Sequence, residues 1–88
     1  MEISNLGDFI RWKRTMNAMS QQQVTNRARR SVPGVIGFHR AAVAHWEMNN
    51  RIPNHSQTRA LCDALDLSEI EKGQLVELII EAELAKVY

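Results

Sequence analysis

The sequence predicts an all-α domain of five helices. Three observations point there. Apolar residues recur at helical spacing through most of the 88 residues. Helix-start signals stand at Ser20 and Ser68, with Gln23 and Glu71 three positions on. The turn formers Pro33-Gly34, Asn49-Asn50 and Pro53-Asn54 separate the periodic stretches, and no segment alternates as a half-buried strand does.

The first helix is expected over residues 3–18, where Leu6, Phe9, Ile10 and either Lys13 or Met16 fall on one face and Arg11 and Arg14 on others. Ser20 and Gln23 form a capping box that opens the second helix. Met19 stands ahead of it for a hydrophobic staple, and Val24 and Ala28 supply its apolar stripe. Residues 29–39 then read as a turn-rich connection in which Pro33-Gly34 suits the centre of a type II turn. A third helix over residues 40–48 ends at Asn49-Asn50, residue types that tolerate the left-handed conformation of a helix end. Pro53 and Asn54 start a fourth, with Leu61, Ala64 and Leu65 inward and Cys62 as a small core residue. Ser68 and Glu71 cap the last helix, which runs towards Tyr88.

At 44% hydrophobic and 24% charged, residues 1–88 fit one small domain whose modest core calls for regular packing or oligomerisation. The lone Cys62 allows no internal disulfide. The apolar run at residues 78–80 is far too short to span a bilayer, and no leader-like segment is evident, so a cytoplasmic location without membrane contact is expected. Net charge is only +1, but it is segregated. Residues 1–60 carry nine Lys/Arg against three acids, and residues 61–88 two lysines against seven acids. A basic body with an acidic end suits an anionic partner docking on the first part.

The stretch Arg40-Ala41-Ala42-Val43-Ala44-His45-Trp46-Glu47 carries the functional expectation. Val43, Trp46 and Ala42 can anchor one side in a core while Arg40, Ala41, Ala44 and His45 share the other, where small residues permit close approach. An arginine pairs bidentately with guanine and an alanine methyl suits a thymine methyl. An ordinary alanine-rich core helix has the same composition.

Met19-Ser20-Gln21 opening one helix, Val43-Ala44-His45-Trp46-Glu47 closing a later one, Asn50-Arg51-Ile52-Pro53, and the run from Leu61 to Leu67 together resemble the phage-repressor (lambda repressor-like, Cro/XRE-type) helix-turn-helix family. The resemblance covers Leu6 to Leu67 and implies a five-helix domain whose third helix lies in the major groove of double-stranded DNA. It places Arg40, Ala41 and His45 at base-reading positions. It places Gln21 at a phosphate-binding helix start, Asn49, Asn50 and Arg51 in a phosphate-touching loop, and Arg14 and Glu47 as an architectural ion pair. Two departures stand out. The eleven residues 29–39 replace a turn of about three or four, and Thr25 stands where the family packs a small alanine, which leaves the aim of the third helix open. The long connection is either a tolerated surface loop or a second contact surface in which Arg27, Arg29 and Arg30 hold phosphate. Its apolar tip is Val32, Val35, Ile36 and Phe38, with Phe38 packing inward.

On the last helix, residues 68–88, Leu75, Leu78, Ile79, Ala82 and Ala85 form one apolar face and Val76, Ile80, Leu84 and Val87 another. Two faces need two covers: the domain core and the same helix of a second copy. The resemblance implies such a homodimer, whose recognition helices would then lie about 34 Å apart on a near-palindromic site. A single broad face buried in the domain is the alternative. Catalytic chemistry finds no footing: the histidines at 39, 45 and 55 lack metal-ligand spacing, no glycine loop cradles phosphate, and no cofactor or small-molecule site is evident. The expectation is a sequence-specific transcriptional regulator, most simply a repressor. The competing reading is an antitoxin or other protein-interaction module working through the last helix.

Overall fold

The computed structural model describes residues 3–87, and of Val87 the backbone alone. The Val87 side chain, assigned to the dimer face, and Tyr88 lie outside the described residues. Five helices are present, α1 (Leu6–Met16), α2 (Gln21–Ser31), α3 (Arg40–Glu47), α4 (His55–Ala64) and α5 (Glu69–Val87), with no strand among the described residues. The all-α, five-helix class therefore holds.

Four of the five starts, all but that of α3, are fixed by a side chain that satisfies otherwise orphaned N–H groups. The expected boxes form at Ser20–Gln23 and Ser68–Glu71, and a third forms at Asn54–Gln57. Asn5 caps α1 by accepting from the Asp8 N–H, so this helix starts later than residue 3. Three ends share one geometry. Ala18, Asn49 and Asp66 adopt φ of +53°, +59° and +53°, and the next N–H in each case reaches back to the carbonyl of Arg14, His45 or Cys62. Ala18 thus terminates α1 instead of extending it, and Met16, offered as a core position, is 66% exposed.

A single core joins all five helices: Leu6, Phe9 and Ile10 from α1, Val24 and Ala28 from α2, Val43 and Trp46 from α3, Ala60, Leu61 and Ala64 from α4, and Leu75 from α5. Leu65, just past α4, is buried as expected. Trp12, unassignable by periodicity, lies half-buried beside Phe9, with ring centroids 5.7 Å apart. Cys62 is half-buried at the margin of the core, and burial pushes its thiol up, away from thiolate chemistry.

The connection between α2 and α3 is shorter than the sequence suggested. Helical hydrogen bonding persists through Arg29, Arg30 and Ser31, so only the eight residues 32–39 link the two helices. Pro33-Gly34 forms the expected turn, the Val35 N–H bonding the Val32 carbonyl at 3.1 Å with Gly34 at φ +83°. The segment is anchored. Phe38 is buried edge-on against Trp46 at 5.0 Å, Val32 and Val35 pack half-buried on the core, and Gln57 Nε2 donates to the Ile36 carbonyl. Of the expected apolar tip, Ile36 alone stands in solvent. Thr25 fills the contact expected to hold alanine. It is fully buried, and its hydroxyl donates to the Gln21 carbonyl one turn back, so no polar group is stranded.

α5 leans on α1 through buried Leu75, half-buried Leu78 and Ile79, and a 2.9 Å pair from Lys13 Nζ to Glu71. The Glu71 carboxyl is held below the usual range, first by the Ser68 N–H and then by Lys13. The packed face is shorter than expected. Ala82 and Ala85 line an open groove of about 510 Å³ between α5 and the segments around Asn5 and Asn50, and Ala85 is exposed. The second face is bare, with Val76, Ile80 and Leu84 exposed at 46%, 52% and 54%. A single broad buried face is thereby excluded for this chain.

Where α1 crosses the end of α3, Gly7 is buried so closely that a Cβ there would overlap the Glu47 carbonyl oxygen and come 2.8 Å from Asn49 Nδ2. Alanine gains about 1 kcal/mol over glycine in helix propensity, but overpacking against backbone costs about 1–3 kcal/mol. Gly7→Ala should therefore lower the unfolding free energy by up to about 2 kcal/mol in urea titrations; an increase would show that α1 can shift away from α3.

Candidate nucleic-acid interface

The candidate surface is built outward from one buried carboxylate. Glu47, on the last turn of α3, is 3% exposed. Arg14 of α1 holds it with a two-pronged pair, Nε to Oε2 at 2.6 Å and Nη2 to Oε1 at 2.9 Å, and spends its remaining Nη1 on the Met19 carbonyl at 3.0 Å. Gln21, at the first position of α2, donates Nε2 to Glu47 Oε1 at 3.2 Å, and half-exposed Arg11 lies 3.5 Å from the same oxygen. Hydrogen bonding to Glu47 raises the already high Arg14 pKa further. The expected Arg14–Glu47 pair is thus present, and with Gln21 it ties α1, the start of α2 and the end of α3 together.

That clamp decides which face of α3 is free. Ala42, Val43, Trp46 and Glu47 are buried, while Arg40 and Ala41 are exposed, Ala44 and His45 half-exposed, and Met48, capping the helix, 62% exposed. At 100° per residue these five outward residues share one side of the helix. The helix opens at His39, whose backbone is extended and whose side chain makes no cap. His45 Nδ1 is shielded from solvent and has no hydrogen-bond partner.

The flanking assignments divide. Asn50 and Arg51 are exposed beyond α3. Asn49 is engaged elsewhere: Oδ1 accepts from the Gly7 N–H at 2.9 Å and Nδ2 donates to Asn5 Oδ1 at 3.1 Å, so its side chain joins two helix ends and is not free for phosphate. The Gln21 amide is likewise committed to Glu47. Arg27, Arg29 and Arg30 are exposed, but on α2 and not on a loop. They spread over roughly 160° of the helix surface, Arg27 turning back to Met19 Sδ at 3.3 Å. They form no single patch.

The structure therefore gathers Arg40, Ala41 and His45 on one face and leaves the three α2 arginines dispersed. It adds Met48 and Arg11. Met48 continues the outward spacing of Ala41, Ala44 and His45, a signal that reading it only as the helix end concealed. Arg11 beside Glu47 depends on a fold-level approach with no local pattern.

Removing Glu47 strands a guanidinium that is only 17% exposed. Glu47→Ala should cost about 3 kcal/mol, the low end for breaking a buried pair because Arg14 stays partly wet. The double change Arg14→Met/Glu47→Leu should recover most of that loss. Equal stability of the single variant and the parent in chemical denaturation would mean the pair does not organise the helices.

Compared with family models, curated proteins and solved structures, the chain matches none.

Proposed function

We propose that the chain is a sequence-specific DNA-binding regulator of the phage or bacterial repressor type, occupying a near-palindromic operator as a homodimer. The observation that carries this is the outward face of α3, which presents Arg40, Ala41, Ala44, His45 and Met48 while the opposite side is locked by Trp46 and the Glu47 clamp. A narrow helix with one long cationic donor and small apolar neighbours fits the width and chemistry of the major groove. Arg40 pairs with guanine, Ala41 meets a thymine methyl, and exposed Asn50 and Arg51 hold the adjoining backbone. A helix held in place by the Glu47 clamp raises affinity by orienting the reader before contact.

The dimer forms through Val76, Ile80 and Leu84 of α5, exposed at fourfold spacing. Such ridges interdigitate between two copies of a helix at about −50°, and the contact is self-complementary as a twofold axis requires. That stripe, with Ile70 76% exposed nearby, also favours a second reading, a protein-interaction module such as an antitoxin that binds its partner through α5. Salt separates the two: DNA affinity falls steeply with ionic strength as phosphate contacts release counterions, while an apolar helix contact hardly changes.

Arg40→Ala should weaken a selected operator by about 1–3 kcal/mol and leave random-sequence DNA nearly unaffected; equal loss on both, in fluorescence anisotropy titrations, removes Arg40 from the readers. Ile80→Glu should sediment as a monomer and lose operator affinity with its fold intact by circular dichroism. A dimer of parental stability would move the interface off this stripe.

A further inference from the structure

The outward face of α3 carries hydrogen-bond donors and methyl groups, and its acceptors are accounted for. Arg40 has donors only. Ala41 and Ala44 offer methyl groups and Met48 a thioether. The one acid of the helix, Glu47, is 3% exposed and already accepts from Arg14 and Gln21. His45 is the one residue on this face whose polarity the sequence leaves undecided, since a neutral imidazole donates from one nitrogen and accepts at the other.

The surroundings of His45 decide it. Nδ1 is shut off from solvent with no partner within hydrogen-bond reach. Nε2 is neither shielded in that way nor bonded to any described residue, so it is the edge turned to solvent. A proton on Nδ1 would bury an orphan N–H donor, whereas a proton on Nε2 leaves only a lone pair inside. Buried donors without acceptors are the rarer defect in folded proteins. No carbonyl or carboxylate is placed to hold an Nδ1 proton.

We propose that His45 is held as the Nε2–H tautomer and that α3 is consequently a donor-only reader, selecting bases that present a keto oxygen or a purine N7 and refusing the amino group of cytosine. Guanine offers O6 and N7, adenine N7, thymine O4 and a methyl group, and cytosine only an N4 amino donor, which meets no acceptor on this face stronger than the Met48 thioether. The contacted strand of each half-site is then poor in cytosine, with His45 the specificity-determining residue at one position. This inference rests on α3 being the groove-reading helix.

Two measurements test it on the whole chain. Nitrogen-15 NMR of the parent at about pH 8.5, two units above the usual imidazole value, should show the His45 proton on Nε2. A proton on Nδ1 overturns the inference whatever the DNA results. Selection from random DNA should return half-sites in which one position depletes cytosine about tenfold, the size of one lost polar contact. H45Q, whose amide can turn either a donor or an acceptor outward, should bring cytosine back to within about threefold there and leave the other positions alone. Selected sites that admit cytosine throughout, or an H45Q profile identical to the parent, overturn the donor-only reader and leave DNA recognition standing. A parent chain that selects no sequence overturns DNA reading itself.

Discussion

Removing a carboxylate from water costs several kcal/mol unless its lone pairs are met, and the meeting of α1, α2 and α3 is arranged around those of Glu47. Its two oxygens take a paired guanidinium from α1 and an amide from α2. Its main-chain carbonyl is roofed by Gly7, the residue that brings the start of α1 down onto α3. One residue therefore locates α1 twice, at its later turns by charge and at its first turn by contact. The orientation of α3 follows, because a helix with Glu47 and Trp46 locked inward can present only Arg40, Ala41, Ala44, His45 and Met48 outward. A hydrophobic pair of equal volume could match the stability, but it would not fix the rotation of α3 about its own axis so narrowly.

The long link between α2 and α3 is compatible with that precision because its length is not free. Each doubling of a flexible loop adds only about 0.6 kcal/mol of closure entropy, and here Phe38 against Trp46 and Gln57 against the Ile36 carbonyl tie the segment down just before α3 begins. The helix pair thus has a defined relation without the tight turn that would ordinarily impose it.

What could be read from the sequence was local. Capping boxes at Ser20 and Ser68, the turn at Pro33-Gly34 and the left-handed Asn49 each depend on residues a few positions apart, and each stands in the structure. The end of α2 was misread because Pro33 and Gly34 lent their breaking character to Arg29, Arg30 and Ser31. Basic residues near a helix C-terminus in fact suit its dipole, and the Val32 N–H still bonds Ala28. Asn49 and Gln21 looked free for phosphate because their true partners, Gly7 and Glu47, lie 42 and 26 residues away. Side-chain commitments of that kind leave no periodic trace.

The three left-handed helix ends have a thermodynamic side. An L-residue in that conformation costs about 1–2 kcal/mol, least for Asn and Asp and most for a residue such as Ala18, in a class of domain whose whole stability is commonly 5–15 kcal/mol. Glycine at Ala18 would relieve that strain, so the chain sits below the stability its own topology allows. A partner that binds only the folded form adds stability as its concentration passes its Kd. Molecules bound to such a partner would be spared transient openings that expose a chain to proteases, so an unrelieved strain at Ala18 would make the lifetime of the chain sensitive to occupancy.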